Sequence, residues 1–227
     1  MPEASTAAAL LDRLGRPGGV RLGTTYTVAV SRLPTGLNDL DALLDGGLPR
    51  GRVTELAGAP STGRTGLACA IAAGATAHGE VIAWVDPEDV LEADAAYAAG
   101  VTLARMLWVR PRDVRDALRA TELLLGAGGF GLVVLDCGQG AGRGGLLAWP
   151  RLVRVAEKTR STLLVLSSEP QVGAQAALGL VVTGRRVCWS KGPGQLLLLD
   201  GIEARLRVAR SRLHAPGNAL TVRQACA

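Results

Sequence analysis

The segment from Gly58 to Thr65 constrains the fold of this chain more than any other part of the sequence. It reads Gly-Ala-Pro-Ser-Thr-Gly-Arg-Thr and matches the phosphate-loop pattern G-x-x-x-x-G-K-[ST] at every fixed position except the lysine, which is Arg64. A β-type run, 52–57, precedes this phosphate loop and an apolar helical stretch, 66–77, follows it. In such a unit the loop amides and the helix N-terminus converge on one anion. A glycine-rich turn without a ligand fits the octapeptide equally well, so other residues have to decide.

Strand-like and helix-like segments alternate from this loop onward. The expected strands are 52–57, 81–85, 107–109, 132–135 and 162–166, and the expected helices lie near 66–77, 89–99, 112–125 and 147–160. Unbroken apolar strands that alternate with helices are typical of a parallel sheet covered on both faces. The last third of the chain changes to short β-like runs, many joined by glycine and proline, at 186–190, 195–199, 205–210 and 219–223. We therefore predict an α/β fold with a mainly parallel sheet, helices on both faces and antiparallel C-terminal edge strands.

The chain is predicted to form one core with a short N-terminal arm. Its 227 residues, 48% of them hydrophobic, are enough to bury one sizeable core. An Ala/Leu-rich helical stretch at 4–14 and a β-rich run at 24–30 flank a Pro-Gly break, so residues 1–32 are expected to form the arm. Residues 33–227 are expected to form the core, without a separate C-terminal domain.

Charge, cysteine content and hydropathy limit the classes of function. The 25 basic and 20 acidic residues give a net charge of +5, which tolerates nucleic acid or an acidic partner and requires neither. Nearly all basic residues are arginine, so the arginine count says little about phosphate binding. The 4 cysteines lie far apart and only 2 histidines are present, which disfavours a disulfide framework or a metal cluster. No stretch is apolar for long enough to span a bilayer, so we expect a cytoplasmic protein without membrane contact.

Two carboxylates favour a nucleotide site over a turn without a ligand. Asp136 follows the strand 132–135, where a phosphate-loop enzyme places the carboxylate that holds the Mg²⁺ water shell, paired with a hydroxyl such as that of Thr65. Glu88 follows the strand 81–85 and is placed to orient an attacking water as a general base. Each has an ordinary alternative, a turn residue for Asp136 and a first-turn helix residue for Glu88. Because all these features follow successive strands, the sequence predicts one site at the carboxyl edge of the sheet.

Residues 21–216 resemble the core of the bacterial RecA recombinases. The similarity rests on the phosphate loop, the strand that ends at Asp136, and four further motifs: Leu33-Pro-Thr-Gly-Leu-Asn-Asp-Leu-Asp41, Gly47-Leu-Pro-Arg-Gly-Arg-Val-Thr-Glu-Leu56, Asp86-Pro-Glu88 and Tyr97-Ala-Ala-Gly-Val101. It implies that Glu88 is the catalytic glutamate and that Arg210 and Arg212 reach the nucleotide of a neighbouring subunit in a filament. It also implies ATP and Mg²⁺ as cofactors, with Thr65 and Asp136 on the metal. The nucleotide-binding residues implied in this way are Gly58, Ser61, Thr62, Gly63, Arg64, Thr65, Asp136, Arg210 and Arg212.

The departures from the RecA pattern matter as much as the matches. RecA-type recombinases carry two mobile loops that contact DNA; the first corresponds here to a short glycine-rich stretch, 138–145, and the second to about 170–174. Glu169 stands where the family has a glutamine that senses the γ-phosphate, and its charge would repel a phosphate. The planar fork of Arg64 is longer than an ammonium group and does not replace a compact point charge. We therefore expect weak nucleotide binding or none, little hydrolysis and weak contact with DNA.

A small RecA-like chain with these changes resembles the ImuA-type proteins, which are encoded beside error-prone polymerase subunits. The resemblance implies a non-enzymatic accessory role in the bacterial SOS response to DNA damage, supporting translesion synthesis and induced mutagenesis. The implied partners are RecA, and ImuB or another error-prone polymerase subunit; self-association is left open. One alternative is a DNA-dependent ATPase that is a recombinase paralog, and another is a cell-division inhibitor similar to SulA.

One tryptophan and one basic cluster are candidates for contact with nucleic acid. Trp149 lies near the shortened first loop and is the aromatic residue best suited to a test of base stacking. The basic cluster that begins at Arg143 and continues along the helix 147–160 fits a DNA backbone, although a solvated helix face explains it more simply.

Overall fold

An eight-stranded mixed sheet forms the centre of the molecule in a computed structural model, which describes residues 30–138, 142–191, 197–212 and 219–225. The predicted helix at 4–14 and nearly all of the predicted strand at 24–30 lie outside these residues. The strands are β1 (Arg32–Leu33), β2 (Leu48–Pro49), β3 (Val53–Ala57), β4 (Ile82–Val85), β5 (Met106–Val109), β6 (Leu132–Asp136), β7 (Thr162–Ser167), β8 (Leu178–Lys191), β9 (Leu197–Ser211) and β10 (Ala219–Ala225). The first two form a separate antiparallel pair.

The main sheet has the strand order β10-β9-β8-β3-β7-β6-β4-β5. All pairings from β8 to β5 are parallel, whereas β8, β9 and β10 pair antiparallel with one another. The predicted α/β fold with antiparallel C-terminal strands is therefore confirmed. The carboxyl ends of the parallel strands, including those of β3, β6 and β4, lie along one edge, where ligands bind in open α/β sheets.

Helices cover both faces of the parallel part of the sheet. They are α1 (Asn38–Leu43), α2 (Arg64–Ala77), α3 (Ala93–Ala98), α4 (Val114–Ala127) and α5 (Gly142–Thr159). Helix α2 packs Leu67 and Ile71 into the cluster of buried side chains that also contains α1 and α3 residues. On the opposite face, α4 and α5 bury a second cluster that includes Leu125 and Trp149. No helix of the described residues is long and apolar enough to cross a membrane.

Helix α5 begins earlier than predicted, and this changes two expectations. It starts at Gly142 and not at 147, so part of the glycine-rich stretch 138–145 is helical and Pro150 lies inside the helix. Trp149 is only 2% exposed because it belongs to the core beneath α4 and α5. This tryptophan is therefore not accessible for stacking on bases, which removes the reason to test it.

The C-terminal strands are longer than the short runs that the sequence indicated. Residues 197–199 of the first of these runs and the whole run 205–210 belong to one strand, β9, although Asp200-Gly201 reads as a turn. Gly201 stays in the sheet because it pairs with Cys188 on one side and Ala225 on the other. Three irregularities in the β8–β9 register absorb the mismatch between the strands.

A close backbone contact joins the segment before α1 to helix α2. Gly74 lies directly under Thr35 and Gly36, and a Cβ atom at Gly74 would overlap the Thr35 carbonyl and lie 2.8 Å from the Gly36 amide nitrogen. Asp41 fixes the position of this segment, because its Oδ1 accepts hydrogen bonds from the Thr35 amide at 2.9 Å and the Thr35 hydroxyl at 2.7 Å. The Leu33–Asp41 motif is thus a fixed support for the helix that follows the phosphate loop.

Candidate nucleotide site

The phosphate loop, Asp136 and Glu88 meet at the carboxyl edge of the sheet, as the sequence predicted. The loop connects β3 to α2, Asp136 is the last residue of β6, and Glu88 lies three residues beyond β4. Strand β7 alone separates β3 from β6. Because these strands are parallel, their carboxyl ends bring the three features together.

Positive backbone angles and hydrogen bonds fix the shape of the phosphate loop. Ser61 and Gly63 adopt positive φ angles of 63° and 90°, which reverse the chain before α2 begins at Arg64. The Thr62 hydroxyl donates to the Ala59 carbonyl at 2.8 Å, and the Gly58 amide donates to the Ser167 carbonyl at 3.0 Å. A Cβ atom at Gly58 would lie 2.7 Å from that hydroxyl, so this position needs glycine. The loop geometry therefore explains Gly58 and Gly63 without a ligand.

Arg64 turns its guanidinium into the loop. Nη1 donates to the Gly58 carbonyl at 2.9 Å, and Nη2 lies 3.7 Å from Asp136 Oδ1. The side chain is only 12% exposed, and its buried Nε has no hydrogen-bond partner among the described residues. The positive charge therefore lies between the loop carbonyl and the carboxylate that is expected to serve Mg²⁺. A Mg²⁺ ion held by this carboxylate would be repelled by the charge of the guanidinium.

Asp136 is an almost fully buried carboxyl, 2% exposed, with one oxygen satisfied and one unpaired. Oδ1 accepts a hydrogen bond from the Gly138 amide at 3.0 Å, whereas Oδ2 has no hydrogen-bond partner in the described part of the chain. Desolvation raises the pKa of Asp136 above its ordinary value, against the Gly138 hydrogen bond and the charge of Arg64, and the nearby Asp86 and Glu88 raise it further. An unpaired buried carboxylate oxygen is a suitable ligand for Mg²⁺ or its water shell, so Asp136 fits the cofactor better than Arg64 does. The role of Thr65 on the metal stays a prediction.

Asp136→Asn is expected to stabilise the chain at neutral pH. A carboxyl whose pKa is raised by folding favours its protonated form, so its contribution to stability is complete below the unfolded pKa and is lost as the pH rises through the folded pKa. Asparagine resembles the protonated form and keeps an acceptor for the Gly138 amide. We expect a gain of roughly 0.5–2 kcal/mol in unfolding free energy at pH 7.5, shrinking as the pH falls through the folded pKa. Urea unfolding at several pH values measures it; a loss of stability at pH 7.5 would contradict the expectation.

Glu88 lies beside Asp136 across Gly138. The Glu88 side chain is exposed, and a Cβ atom at Gly138 would overlap its carboxylate. Gly138 has φ +52°, which favours glycine, and a larger residue there would also displace the Glu88 side chain. Sequence reasoning did not assign a role to Gly138 or to Asp86, whose two carboxylate oxygens accept from the Val90 and Leu91 amides at 3.2 and 2.9 Å. The Asp86-Pro pair is a common turn-forming dipeptide, and it was the sequence signal from which the role of Asp86 could have been predicted.

The profile of the RecA N-terminal domain family matches residues 5–140, more than half of the chain. The chain belongs to this family. It is 37% identical over 133 residues to the RecA proteins of Leifsonia xyli subsp. xyli and Clavibacter michiganensis subsp. michiganensis, an alignment that covers 58% of this chain and 37% of each relative. RecA of Cutibacterium acnes is 37% identical over 123 residues, covering 54% of this chain and 35% of the relative. The chain thus spans well under half the length of the RecA proteins that it matches.

The fold is also similar to that of a solved recombinase. The crystal structure of the RadB recombinase superposes with a TM-score of 0.65 at 21% sequence identity, covering 84% of this chain and 95% of the other. At this level of identity, the similarity concerns the fold. It agrees with the RecA-like core that the strand order and the phosphate loop define.

The connection from β7 to β8 is anchored at several points, and it contains the stretch 170–174 that the sequence analysis matched to the second DNA loop. The connection runs from Ser168 to Ala177, and the buried carboxylate of Glu55 accepts hydrogen bonds from the amides of Gln171 and Val172, the latter at 2.8 Å. The Ser168 amide donates to the Gly138 carbonyl at 2.9 Å. Sequence reasoning missed Glu55, because nothing in a β-strand glutamate indicates which distant amides it will bind. Glu169, which the resemblance places at the γ-phosphate-sensing position, is exposed.

Arg210 and Arg212 do not join the phosphate loop. Ser211 pairs with Leu178, which in turn pairs with Thr54 near the start of β3. Both arginines therefore lie toward the amino ends of the parallel strands, whereas the phosphate loop follows the carboxyl end of β3. The Arg212 side chain donates to the Ala174 carbonyl, and its amide donates to the Ala177 carbonyl at 2.9 Å. A role at the nucleotide of a neighbouring subunit stays a prediction, and within one chain these residues are far from the site.

Proposed function

We propose that this chain is an accessory protein of the bacterial SOS response to DNA damage, a RecA-shaped binding module of the cytoplasm and not a recombinase. It supports error-prone translesion synthesis and induced mutagenesis by binding RecA, and ImuB or another error-prone polymerase subunit. The observation that carries the proposal is the inward position of Arg64, between the Gly58 carbonyl and Asp136. Nucleotide has to displace this guanidinium before it can bind as in a RecA filament.

The two segments that would contact DNA support the same proposal. Residues 137–141 alone separate β6 from α5, and residues 168–177 connect β7 to β8. The second connection is tied down by Glu55 and buries Val172, so it has little freedom to follow a nucleic-acid strand. A mobile binding loop instead needs few buried contacts. Contact with DNA is therefore proposed to be weak and secondary to protein partners.

The proposal is tested by direct binding to purified RecA and to the ImuB-type subunit of the same bacterium. The full chain, immobilised on a support, is expected to retain at least one of them, and retention should not change among ATP, ADP and nucleotide-free buffer. Serum albumin serves as the control for non-specific retention. Failure to retain either partner, under all three nucleotide conditions, contradicts the proposal.

A recombinase paralog with DNA-dependent ATPase activity is the alternative that a specific observation favours. Asp136 keeps an unpaired buried oxygen and Glu88 lies beside it, as a working site requires. Bound Mg-ATP would supply the phosphoryl group, Asp136 and Thr65 would hold the cofactor, and Glu88 would orient water.

The alternative predicts that Glu88→Gln lowers DNA-stimulated phosphate release by about 100-fold or more, since a lost general base typically costs this much. The matched control is Glu92→Gln, which changes an exposed glutamate in the following turn. Our proposal predicts phosphate release near the buffer baseline for the unaltered chain and for both variants. Stimulated release that Glu88→Gln removes and Glu92→Gln preserves would establish the alternative.

A further inference from the structure

A groove of about 760 Å³ lies between helices α4 and α5, on the face of the sheet opposite α2. Its apolar part consists of Leu118, Leu147 and Ala148. Leu147 is 82% exposed, the largest exposed fraction among the large hydrophobic side chains that the structure describes. The groove does not include any residue of the nucleotide site, so what it binds is independent of how that site is used.

The charged side chains of the groove divide into paired and unpaired groups. Arg112 pairs with Asp116 at 3.0 Å, and Arg151 lies 3.4 Å from Glu122. A third carboxylate, Asp113, accepts a hydrogen bond from the Asp116 amide and caps the start of α4. The carboxylates of the groove are therefore engaged locally.

Arg115 and Arg119 remain after these pairings. Both line the groove, both are exposed, and neither has an ion-pair partner among the described residues. They are four residues apart on α4, so their like charges face one another on one side of the helix and repel. A ligand with two carboxylates would relieve this repulsion while covering the apolar part of the groove.

We propose that the groove binds a short acidic segment of a partner protein, with an apolar side chain over Leu118 and Leu147 and carboxylates at Arg115 and Arg119. A nucleic-acid backbone matches the two charges but has no apolar group for Leu147. The chain's own residues 1–29 are a poor match, because they carry Glu3 and Asp12 against Arg13, Arg16 and Arg21. The occupant is therefore an acidic and leucine-containing peptide from another protein.

Fluorescence anisotropy with labelled peptides of about twelve residues tests the proposal on the full chain. The main probe contains glutamate, leucine and glycine; one comparison peptide replaces glutamate by glutamine, and another replaces leucine by glycine. Both comparison peptides are expected to bind at least about tenfold more weakly than the main probe. The first loses the carboxylates that pair with the arginines, and the second loses the apolar side chains that cover the leucines of the groove. Absence of binding by the main probe, or equal binding of all three, overturns the proposal.

Matched variants locate the site. Arg115→Glu with Arg119→Glu, and separately Leu147→Asp, are expected to weaken the main probe at least about tenfold. The charge control is Arg154→Glu with Lys158→Glu, an exposed pair with the same spacing on α5 outside the groove, and the apolar control is Leu123→Asp, at a leucine 67% exposed outside the groove. Both controls should leave affinity within about twofold.

Competition distinguishes the other occupants. Neither oligothymidine nor a peptide of residues 1–29 should displace the main probe at concentrations where the unlabelled probe does. Displacement by oligothymidine that requires Arg115 and Arg119 would assign the groove to nucleic acid, and displacement by residues 1–29 would assign it to the chain's own arm; either result overturns the proposal. None of these variants changes the phosphate loop. A result that overturns the groove proposal therefore leaves the proposed accessory role untouched.

Discussion

Arg64→Lys is expected to raise the affinity of the chain for Mg-ATP at least about tenfold, which corresponds to about 1.4 kcal/mol. The change removes the fork that now donates to the Gly58 carbonyl and lies 3.7 Å from Asp136. The lysine restores the compact ammonium that phosphate loops direct at the β- and γ-phosphates. Asp136 then becomes available to the Mg²⁺ shell. Titration with a fluorescent ATP analogue in the presence of Mg²⁺ measures the change.

Two further variants make this expectation specific. Arg154→Lys is the same chemical exchange at an exposed position on α5, and it should leave nucleotide affinity unchanged. Adding Thr65→Ala to Arg64→Lys should remove the Mg²⁺-dependent part of the gain, because the hydroxyl is the expected partner of Asp136 on the metal. If the unaltered chain binds Mg-ATP as tightly as Arg64→Lys, the guanidinium does not obstruct the site and the accessory role loses its main support.

Gly74→Ala is expected to cost about 3–5 kcal/mol of unfolding free energy, although alanine is the better helix former. The added Cβ would overlap the Thr35 carbonyl, and the clash is with backbone that Asp41 holds in place. Either α2 or the Leu33–Asp41 segment must move. In a domain of this size the melting temperature should fall by roughly 10 °C, measured by thermal and urea unfolding.

Gly126→Ala provides the matched control within another helix. Gly126 belongs to α4, and a Cβ atom there would meet nothing within 4 Å. Alanine should therefore stabilise the chain by about 0.5–1 kcal/mol through helix propensity alone. Equal effects of the two substitutions would show that the backbone near Thr35 moves away from an alanine at position 74 without loss of stability. The Leu33–Asp41 motif would then not support α2.

Sequence patterns located the candidate site because its parts depend on chain topology. Asp136 and Glu88 each follow an apolar strand, and parallel strands necessarily bring their carboxyl ends to one edge. The pattern also predicted the antiparallel C-terminal strands, but not that 197–199 and 205–210 are one strand. That continuity depends on partners on both sides of Gly201, which local turn propensity does not represent.

Other features depend on neighbours distant in sequence and were therefore out of reach. Trp149 is buried because α4 and α5 pack together over one face of the sheet, and the sequence does not show which helices meet. Glu55 binds amides more than a hundred positions away. The groove that exposes Leu147 beside Arg115 and Arg119 exists only where two separate helices meet.

The phosphate loop shows the same division within one residue. The sequence by itself determined that arginine replaces the lysine, and that the loop joins a strand to a helix beside two carboxylates. Only the tertiary structure decided where the guanidinium goes. A long side chain has several rotamers of similar energy, and the Gly58 carbonyl and the buried, partly unpaired Asp136 carboxylate select the inward one.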